Sequence, residues 1–451
     1  MISNNIKINF KYLIESALAR LRMRSATQPR VQISDVASNQ TSVLQPSTPP
    51  TAIPLMTIVK RLPSLFPRSV SESYADYRIF QTNQEQIQTD LLNTLPMFRN
   101  ETSTGNDSRS AKLYRIPVDT SGNYINELCI EPQDKNVERN NLKHLIFIHG
   151  YGAGLGFFIK NLEHLPLLNN EWCIHAIDLP GFGYSSRPKF PFKYGVTNSL
   201  EVNDWFHSRI NNWFRKRSLL ENPQNNIVLA HSLGAYIMAL YANKYPDHFK
   251  KLIMCSPAGV CHSNNVHKTK IGKNLQNKAN LTPPWWYSKL WNMNFSPFSL
   301  VRNSGPLGSL ITSGWSYRRF KQLSQSDKGD QEQFELLHRY AYGIFNRAGS
   351  GEYLLPFVLG CGGIPREPLE ETVFKDVSDS INFKANCDWV WMYGENDWMN
   401  KDGAESITDE INKKLGNKKS RVVVVPKSGH HLYFDNYQFF NKEIIKEMKD
   451  I

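Results

Sequence analysis

The sequence lacks a long uncharged apolar run and lacks clustered cysteines. No stretch reaches the roughly 18–20 apolar residues that a membrane-spanning helix needs. The six cysteines are spread along 451 residues without a C-x-x-C pair, which favours neither a disulfide framework nor a zinc-ribbon site. We therefore expect any membrane contact to be peripheral, and a reducing or matrix-like compartment fits the cysteine content.

Acidic residues are scarce near the N-terminus. Residues 1–70 hold nine basic and two acidic residues, so the remaining chain is only mildly basic and a general nucleic-acid binder is not indicated. Within residues 1–35, apolar residues follow one helical face beside the Arg-rich stretch 19–25, a pattern typical of a mitochondrial targeting segment. A basic amphipathic helix on an anionic membrane is the alternative. We expect a peripheral protein at the matrix face of the mitochondrial inner membrane.

The remaining chain divides by composition and by hydrophobic pattern. Residues 36–70 are rich in Ser, Thr and Pro and predict a linker, and residues 71–110 predict a helical extension. Short apolar strands then alternate with helices, which predicts an α/β fold with a mostly parallel sheet covered on both faces. We place this core at 111–260 and 386–451, with an inserted helical cap at 261–385. Catalytic groups are expected at the carboxyl ends of the strands.

One strand-to-helix junction carries the strongest catalytic signal. Residues 227–229 predict a buried strand that runs directly into Ala230-His231-Ser232-Leu233-Gly234 and then a helix. This is the setting of a nucleophile elbow, G-x-S-x-G, with Ala230 in place of the first glycine. Ser232 is therefore the candidate nucleophile, and an ordinary serine helix cap is the alternative.

A serine hydroxyl becomes a useful nucleophile only when a neighbouring base takes its proton. Asp397 and His430 each follow a predicted strand, and they give the order serine, acid, histidine that this architecture uses. We predict that His430 is the base and that Asp397 orients it. The rivals are His431 for the base, and Glu395 and Asp402 for the acid.

Acyl transfer also needs hydrogen-bond donors for the charge that develops on the carbonyl oxygen. A glycine-rich stretch, residues 149–154, follows an early predicted strand. The candidate donors are the backbone N–H groups of Tyr151 and Leu233. The stretch lacks the Gly-Lys-Ser/Thr ending of a phosphate-binding loop, which disfavours that alternative. No metal or organic cofactor is implied.

Five motifs together resemble the α/β-hydrolase superfamily over roughly residues 110–450. They are His149-Gly150, residues 178–185, residues 230–234, residues 393–397 and Ser428-Gly429-His430. Within the superfamily the chain resembles the subgroup of lipid deacylases and lysophospholipid acyltransferases, which includes a fungal mitochondrial cardiolipin-specific deacylase. Asp-Trp-Met at 397–399 and the H-x4-D pair of His430 and Asp435 carry this resemblance.

The resemblance implies a serine acyl hydrolase that removes a fatty-acyl chain from a membrane phospholipid, cardiolipin, through an acyl-enzyme. One alternative is an acyl-CoA-dependent lysophosphatidic acid acyltransferase, an activity attributed in the subgroup to the H-x4-D pattern. Another is a non-catalytic activator of a different lipase, although the presence of Ser232 counts against it. By position alone, Asp435 is more simply the cap of a helix that starts near Asn436.

The predicted cap contains an unusual aromatic stretch. Residues 283–298 hold six aromatic residues and one charged residue. Trp and Tyr favour the membrane interface, and the basic residues on both sides of the stretch could attract anionic head groups. The predicted lipid-contact residues are Trp285, Trp286, Tyr287 and Trp291. Packing of these rings inside the cap is the alternative, and the sequence leaves the oligomeric state open.

Overall fold

The structure is a computed structural model that describes most of the chain after residue 63. The described residues are 64–99, 108–134, 136–261, 289, 291–293, 296–324, 328–361, 363–375, 377, 383–384, 386–415 and 419–451. The strands are β1 Arg109–Pro117, β2 Tyr124–Pro132, β3 Lys143–Ile148, β4 Trp172–Ile177, β5 Asn226–His231, β6 Lys251–Cys255, β7 Asp388–Gly394 and β8 Ser420–Val425. The longer helices are α1 Val70–Thr82, α2 Gln84–Leu92, α3 Pro96–Arg99, α4 Ile159–His164, α5 Ser199–Lys216, α6 Leu233–Lys244, α7 Phe298–Asn303, α8 Gly308–Arg319, α9 Lys321–Ser324, α10 Lys328–Asn346, α11 Leu355–Val358, α12 Leu369–Thr372, α13 Asp402–Leu415, α14 Leu432–Asp435 and α15 Tyr437–Lys449. Short 3-10 helices span Arg139–Asn141, Leu155–Phe158, Pro223–Asn225, Gly305–Leu307 and Gly351–Leu354.

The strands form one sheet in the order β1-β2-β4-β3-β5-β6-β7-β8. The first two strands pair antiparallel, and β2 also runs antiparallel to β4. The pairs from β4 through β3 to β8 are all parallel. The predicted mostly parallel α/β sheet is therefore confirmed. Its parallel strands end at one edge, and the loops that follow them can bring distant residues together there.

Both faces of the sheet are buried, as the continuous apolar runs require. In β3, Leu145 and Phe147 enter one apolar cluster, whereas the alternating residues Ile146 and Ile148 enter a second. Each of these side chains is fully buried, which contributes roughly 1.5–3 kcal/mol per side chain. The two clusters hold the strand ends in fixed positions.

The N-terminal extension is attached to the helices that precede β7. The guanidinium of Arg68 donates from Nε to Asp76 Oδ2 at 2.6 Å, and both side chains are buried. Asp76 also accepts from Ser309 Oγ in α8 at 2.5 Å and from Arg339 Nε in α10 at 2.9 Å. A charged group this deeply buried needs such partners. Sequence analysis assigns this extension no role, whereas in the structure it packs against α8 and α10 and supports them.

The helices α7 to α12 lie between β6 and β7 in the chain, within the interval where the sequence predicts the cap. Among the residues that the structure describes, no helix has both the length and the apolar character to cross a bilayer.

Candidate active site

The Ser232 turn has the backbone of a nucleophile elbow. Ser232 joins β5 to α6 with φ of +51°, a conformation that residues other than glycine rarely adopt. Its N–H donates to the Cys255 carbonyl at 2.9 Å, which fixes the turn against β6. A Cβ atom at Gly234 would lie 2.3 Å from the His149 carbonyl oxygen, so only glycine fits there. Ala230 is fully buried at the strand end, where its methyl group joins an apolar cluster.

The structure brings Ser232, His430 and Asp397 into one hydrogen-bonded chain. His430 Nε2 lies 3.0 Å from Ser232 Oγ, and His430 Nδ1 lies 3.2 Å from Asp397 Oδ1. Because a carboxylate only accepts, Nδ1 carries the proton toward Asp397 and Nε2 is left to accept from the serine hydroxyl. The Asp397 side chain is 1% exposed and that of His430 is 14% exposed. The His430 ring is therefore partly open to solvent, whereas the Asp397 carboxylate is shielded from water.

Asp397 is held in its ionised form by its neighbours. Burial alone raises the pKa of a carboxyl group, but hydrogen bonds from His430, Ser256 and the Met399 N–H, with the charge of His430, bring the pKa of Asp397 below its ordinary value. The Ser256 hydroxyl donates to Asp397 Oδ2, and Ser256 directly follows β6 with φ of +44°. Sequence reasoning missed Ser256, although a serine immediately after a predicted strand was the available signal.

The rival residues, His431, Glu395 and Asp402, do not contact Ser232 or the His430 ring nitrogens. The pKa of His431 is well below its ordinary value because of burial and the nearby Arg319 charge. Its ring centroid lies 5.5 Å from that of His430, and both nitrogens of His430 are already occupied by Ser232 and Asp397. The rival acids have other partners: Glu395 accepts from the Lys427 N–H and Asp402 accepts from the Asn400 side chain.

His231, beside the nucleophile, holds the loop that carries the base. Its Nε2 lies 2.9 Å from the His430 carbonyl oxygen, so Nε2 is the protonated nitrogen and donates. Burial is the largest cause that lowers the pKa of His231, which keeps the ring neutral. The elbow and the loop that carries His430 are therefore joined by two hydrogen bonds. One runs from the His231 ring to the His430 carbonyl, and the other joins the side chains of Ser232 and His430.

The expectation that Asp435 caps the last helix is wrong. That helix, α15, begins at Tyr437, and its cap is Asn436, whose side chain accepts from the Phe439 N–H at 3.2 Å. Asp435 instead closes the short helix α14. Its Oδ2 accepts from the Gly429 N–H at 2.9 Å, next to the base.

The other oxygen of Asp435 binds the cap region. Arg319, at the end of α8, donates from Nη2 to Asp435 Oδ1 at 2.6 Å. The H-x4-D pair is therefore linked through the Gly429 backbone, and Asp435 does not occupy a nitrogen of the His430 ring. Asp435 is placed to connect the base loop to α8.

The glycine-rich loop lies directly against the nucleophile. A Cβ atom at Gly150 would lie 2.9 Å from the Ser232 Cβ, so the backbone before Tyr151 passes beside the reacting oxygen. Among the described residues, no backbone carbonyl accepts from the N–H of Tyr151 or of Leu233. Both amides are free of backbone partners where an oxyanion hole would need donors. The Tyr151 ring stacks on Phe298 of α7 at 5.5 Å.

The predicted lipid-contact residues are only partly within the described chain. Trp285, Trp286 and Tyr287 lie outside the described residues. Trp291 is half-buried and donates from its indole N–H to the Leu359 carbonyl at 2.9 Å. Sequence reasoning did not single out Trp398 as a lipid contact, yet its side chain is 64% exposed and its ring centroid lies 4.9 Å from that of His430.

Comparison with known proteins identifies the family to which the chain belongs. A model of the alpha/beta hydrolase fold matches residues 143–437. The chain therefore belongs to the α/β-hydrolase family, and the resemblance inferred from the motifs is confirmed.

The chain is also similar in sequence to three proteins whose names describe enzymes of lipid metabolism. A probable 1-acylglycerol-3-phosphate O-acyltransferase of Oryza sativa subsp. japonica is 29% identical over 71% of this chain and 69% of its own length. A 1-acylglycerol-3-phosphate O-acyltransferase of Arabidopsis thaliana is 26% identical over 95% of this chain and 94% of its own. A (lyso)-N-acylphosphatidylethanolamine lipase of Homo sapiens is 26% identical over 69% of this chain and 81% of its own.

Proposed function

We propose that this protein is a serine acyl hydrolase that removes a fatty-acyl chain from a membrane phospholipid, with cardiolipin as the substrate. This proposal rests on the hydrogen bonds that link Ser232 Oγ through His430 to Asp397, with distances of 3.0 and 3.2 Å. A serine positioned in this way is activated for attack on an ester carbonyl.

The reaction has two stages. His430 Nε2 takes the Ser232 proton as Oγ attacks the ester carbonyl, and the N–H groups of Tyr151 and Leu233 bind the oxygen that becomes negative. Collapse of the tetrahedral intermediate releases the lysophospholipid, which takes the proton from His430, and leaves the acyl chain on Ser232. Water then attacks this acyl-enzyme with His430 as base, and the fatty acid is released.

The phospholipid substrate is supported by the relatives and by the surface near the site. The relatives named above carry names that refer to lysophospholipid and N-acylphosphatidylethanolamine substrates. The exposed Trp398 indole beside His430, with Leu300 60% exposed on the helix that covers Tyr151, gives the site an apolar border. Acyl chains would be drawn along such a border. The proposed location is the matrix face of the mitochondrial inner membrane, with peripheral contact only.

The second candidate is acyl transfer to lysophosphatidic acid. It is favoured by the Arabidopsis relative, which spans nearly the whole of both chains and is named as such an acyltransferase. The same acyl-enzyme would serve, because a lysolipid hydroxyl would replace water in the second stage. In this reaction acyl-CoA would donate the chain.

Lipid turnover by the purified protein distinguishes these functions. Vesicles that contain cardiolipin, phosphatidylglycerol or phosphatidylethanolamine are incubated with the protein, and fatty acid and lysolipid are quantified by mass analysis. Release from cardiolipin above the other two lipids is expected, and mitochondria that lack the protein should show less of the lysolipid. Acylation of lysophosphatidic acid by acyl-CoA without fatty-acid release would overturn the hydrolase proposal.

Asp435→Asn separates hydrolysis from acyl transfer. The amide keeps one acceptor for the Gly429 N–H but removes the charge that pairs with Arg319. We expect fatty-acid release within about tenfold of the native rate, because the Gly429 contact is kept and Asp435 does not bind either nitrogen of the His430 ring. A transferase that uses the Asp435 carboxylate chemically would lose nearly all acyl-CoA-dependent acylation.

Arg319→Met is the matched control for this prediction, because it removes the other half of the same ion pair. If Asp435 acts only by connecting the base loop to α8, both variants should slow both reactions in proportion. Complete loss of acylation in Asp435→Asn, with acylation intact in Arg319→Met, would assign the carboxylate a direct role in transfer.

The aromatic stretch is expected to contact the lipid surface. Burial of one Trp side chain in the interface stabilises binding by roughly 1.5–3 kcal/mol, so replacing Trp285 and Trp286 together by Ala should weaken vesicle binding at least about tenfold. Turnover of a short soluble ester should barely change. Equal loss of vesicle binding and soluble-ester turnover would mean that these rings pack inside the cap.

Salt separates the charge contribution to the same binding. Two of the basic residues that flank the stretch are already paired, Arg302 with Glu352 and Arg319 with Asp435. The remaining basic residues should still make binding to anionic vesicles weaker in added salt, while binding to neutral vesicles changes less.

A further inference from the structure

A cluster of thiols and imidazoles lies at the end of the sheet opposite the catalytic groups. Cys173 is the second residue of β4 and pairs in register with His144, the second residue of β3. Cys129 of β2 pairs directly with His175 of β4. Because alternate residues of a strand share a face, these four side chains project from one face of three adjacent strands. The mechanism proposed above uses none of them.

We propose that Cys129, Cys173 and His175 bind a thiophilic divalent metal ion of the Zn²⁺ type. The two Sγ atoms are 3.3 Å apart, and both lie within 4.8 Å of a ring nitrogen of His175. Thiolate and imidazole are the ligands that Zn²⁺ prefers. Two sulfur ligands at about 2.3 Å from a tetrahedral ion are about 3.8 Å apart, so small side-chain rotations suffice for both to bind it.

The surroundings of His175 match those of a metal-binding histidine. Its Nδ1 lies 2.7 Å from Oε1 of Glu127, a fully buried carboxylate. A carboxylate on one ring nitrogen fixes the orientation of a metal-binding imidazole and raises its basicity. This leaves His175 Nε2 for the ion, in place of its present contact with His144 Nδ1 at 3.0 Å.

The charges around the cluster suit a divalent ion. Binding forms two metal–sulfur bonds and displaces the thiol protons of Cys129 and Cys173 to solvent, so the two thiolate charges balance that of the ion. The Glu127 carboxylate is already offset by the Arg217 guanidinium, with Nε 3.2 Å from Oε1. Arg217 also donates to Cys129 Sγ at 3.3 Å, so its positive charge lies beside the sulfur that becomes a thiolate when the ion binds. The charge of the buried ion is therefore compensated by its own ligands, as a buried charge requires.

A cavity lies beside the cluster, on the side of His144 and Arg217. A cavity of about 80 Å³ is lined by His144 and Arg217, with Leu142 and Leu219 on its other walls. That volume is larger than the space that one water molecule needs. The spacing of the cysteines along the chain does not indicate the site, because its ligands come from separate strands that only the sheet brings together.

Metal content and cobalt substitution test the proposal on the full-length protein. After incubation with Zn²⁺ and extensive dialysis, about one equivalent should remain bound, and Co²⁺ in its place should give a thiolate-to-metal charge-transfer band. Cys129→Ser and Cys173→Ser should each lose the band and most of the metal. Cys387→Ser, which changes another buried free cysteine, should keep both, as should Ser232→Ala.

Several outcomes would overturn the site. One is native protein, folded by circular dichroism, that gives no charge-transfer band with Co²⁺; this measurement needs no variant. Another is a Cys129–Cys173 disulfide found by mass analysis in protein purified under argon. Equal metal loss in Cys387→Ser would place the ion elsewhere. Because Ser232 takes no part in metal binding, failure of the lipid hydrolase proposal would leave these results unchanged.

Discussion

Ser232→Ala is expected to lower the rate of fatty-acid release by at least about 10⁴-fold. The change removes only Oγ, the atom that lies 3.0 Å from His430 Nε2 and that forms the acyl-enzyme in the proposed mechanism. The oxyanion donors and the apolar border remain, so a small residual rate above the uncatalysed reaction is expected. Alanine at this position keeps the same positive φ, and the change adds no atoms to the packed elbow.

The measurement pairs lipid mass analysis with vesicle binding and thermal unfolding. Vesicle binding should be unchanged, because Ser232 is 8% exposed and lies within the elbow. Ser208→Ala is a matched control, since it removes a hydroxyl from an exposed position of α5, and it should leave turnover unchanged. If the Ser232→Ala protein still increases lipid turnover by another lipase as much as the native protein does, the protein is instead a non-catalytic activator of that lipase.

Much of the fold follows from local pattern. The strand predicted at 227–229 lies within β5, Asn226–His231. Such short apolar runs, bounded by turn residues and separated by amphipathic helices, leave few alternatives to a parallel sheet. The meeting of Ser232, Asp397 and His430 follows from the same argument, because each lies in the segment that follows a parallel strand, and these strands end at the same edge.

Contacts between distant elements could not be predicted in this way. Asp435 was expected to cap a helix, because its position in the chain fits that role, but Asn436 provides the cap and Asp435 binds Arg319, 116 residues away. Likewise Asp76 binds Arg339, which is 263 residues further along the chain. No periodicity signals such pairs, since they depend on how the helices before β7 pack.

The Ser256 contact has the same origin. Ser256 and Asp397 are 141 residues apart, and the hydroxyl reaches the carboxylate because β6 and β7 are neighbours in the sheet. A serine after a strand is common, so the sequence alone gives it no role. In the folded chain it occupies the carboxylate oxygen that His430 leaves free, which fixes the orientation of the acid.

The two adjacent histidines are expected to differ sharply when replaced. His430→Ala removes the group that contacts both Ser232 and Asp397, so the loss should be about as large as that of Ser232→Ala, at least about 10⁴-fold in kcat. His431→Ala removes a half-buried ring that packs 5.2 Å from His231 and 6.4 Å from Trp315. We expect this second change to lower kcat by no more than about tenfold, through small shifts of the loop.

The decisive measurement is kcat for a short soluble ester, because it does not depend on vesicle binding. The double variant with Ser232→Ala and His430→Ala should be no slower than either single variant, since residues that act as one unit lose their effect together. Thermal unfolding of each variant separates lost chemistry from lost fold. If both histidine variants lose activity equally while their unfolding temperatures match the native value, His431 shares the role of the base. If only His431→Ala is inactive, the proton passes through His431, and the hydrogen-bonded chain from Ser232 to Asp397 is not the catalytic one.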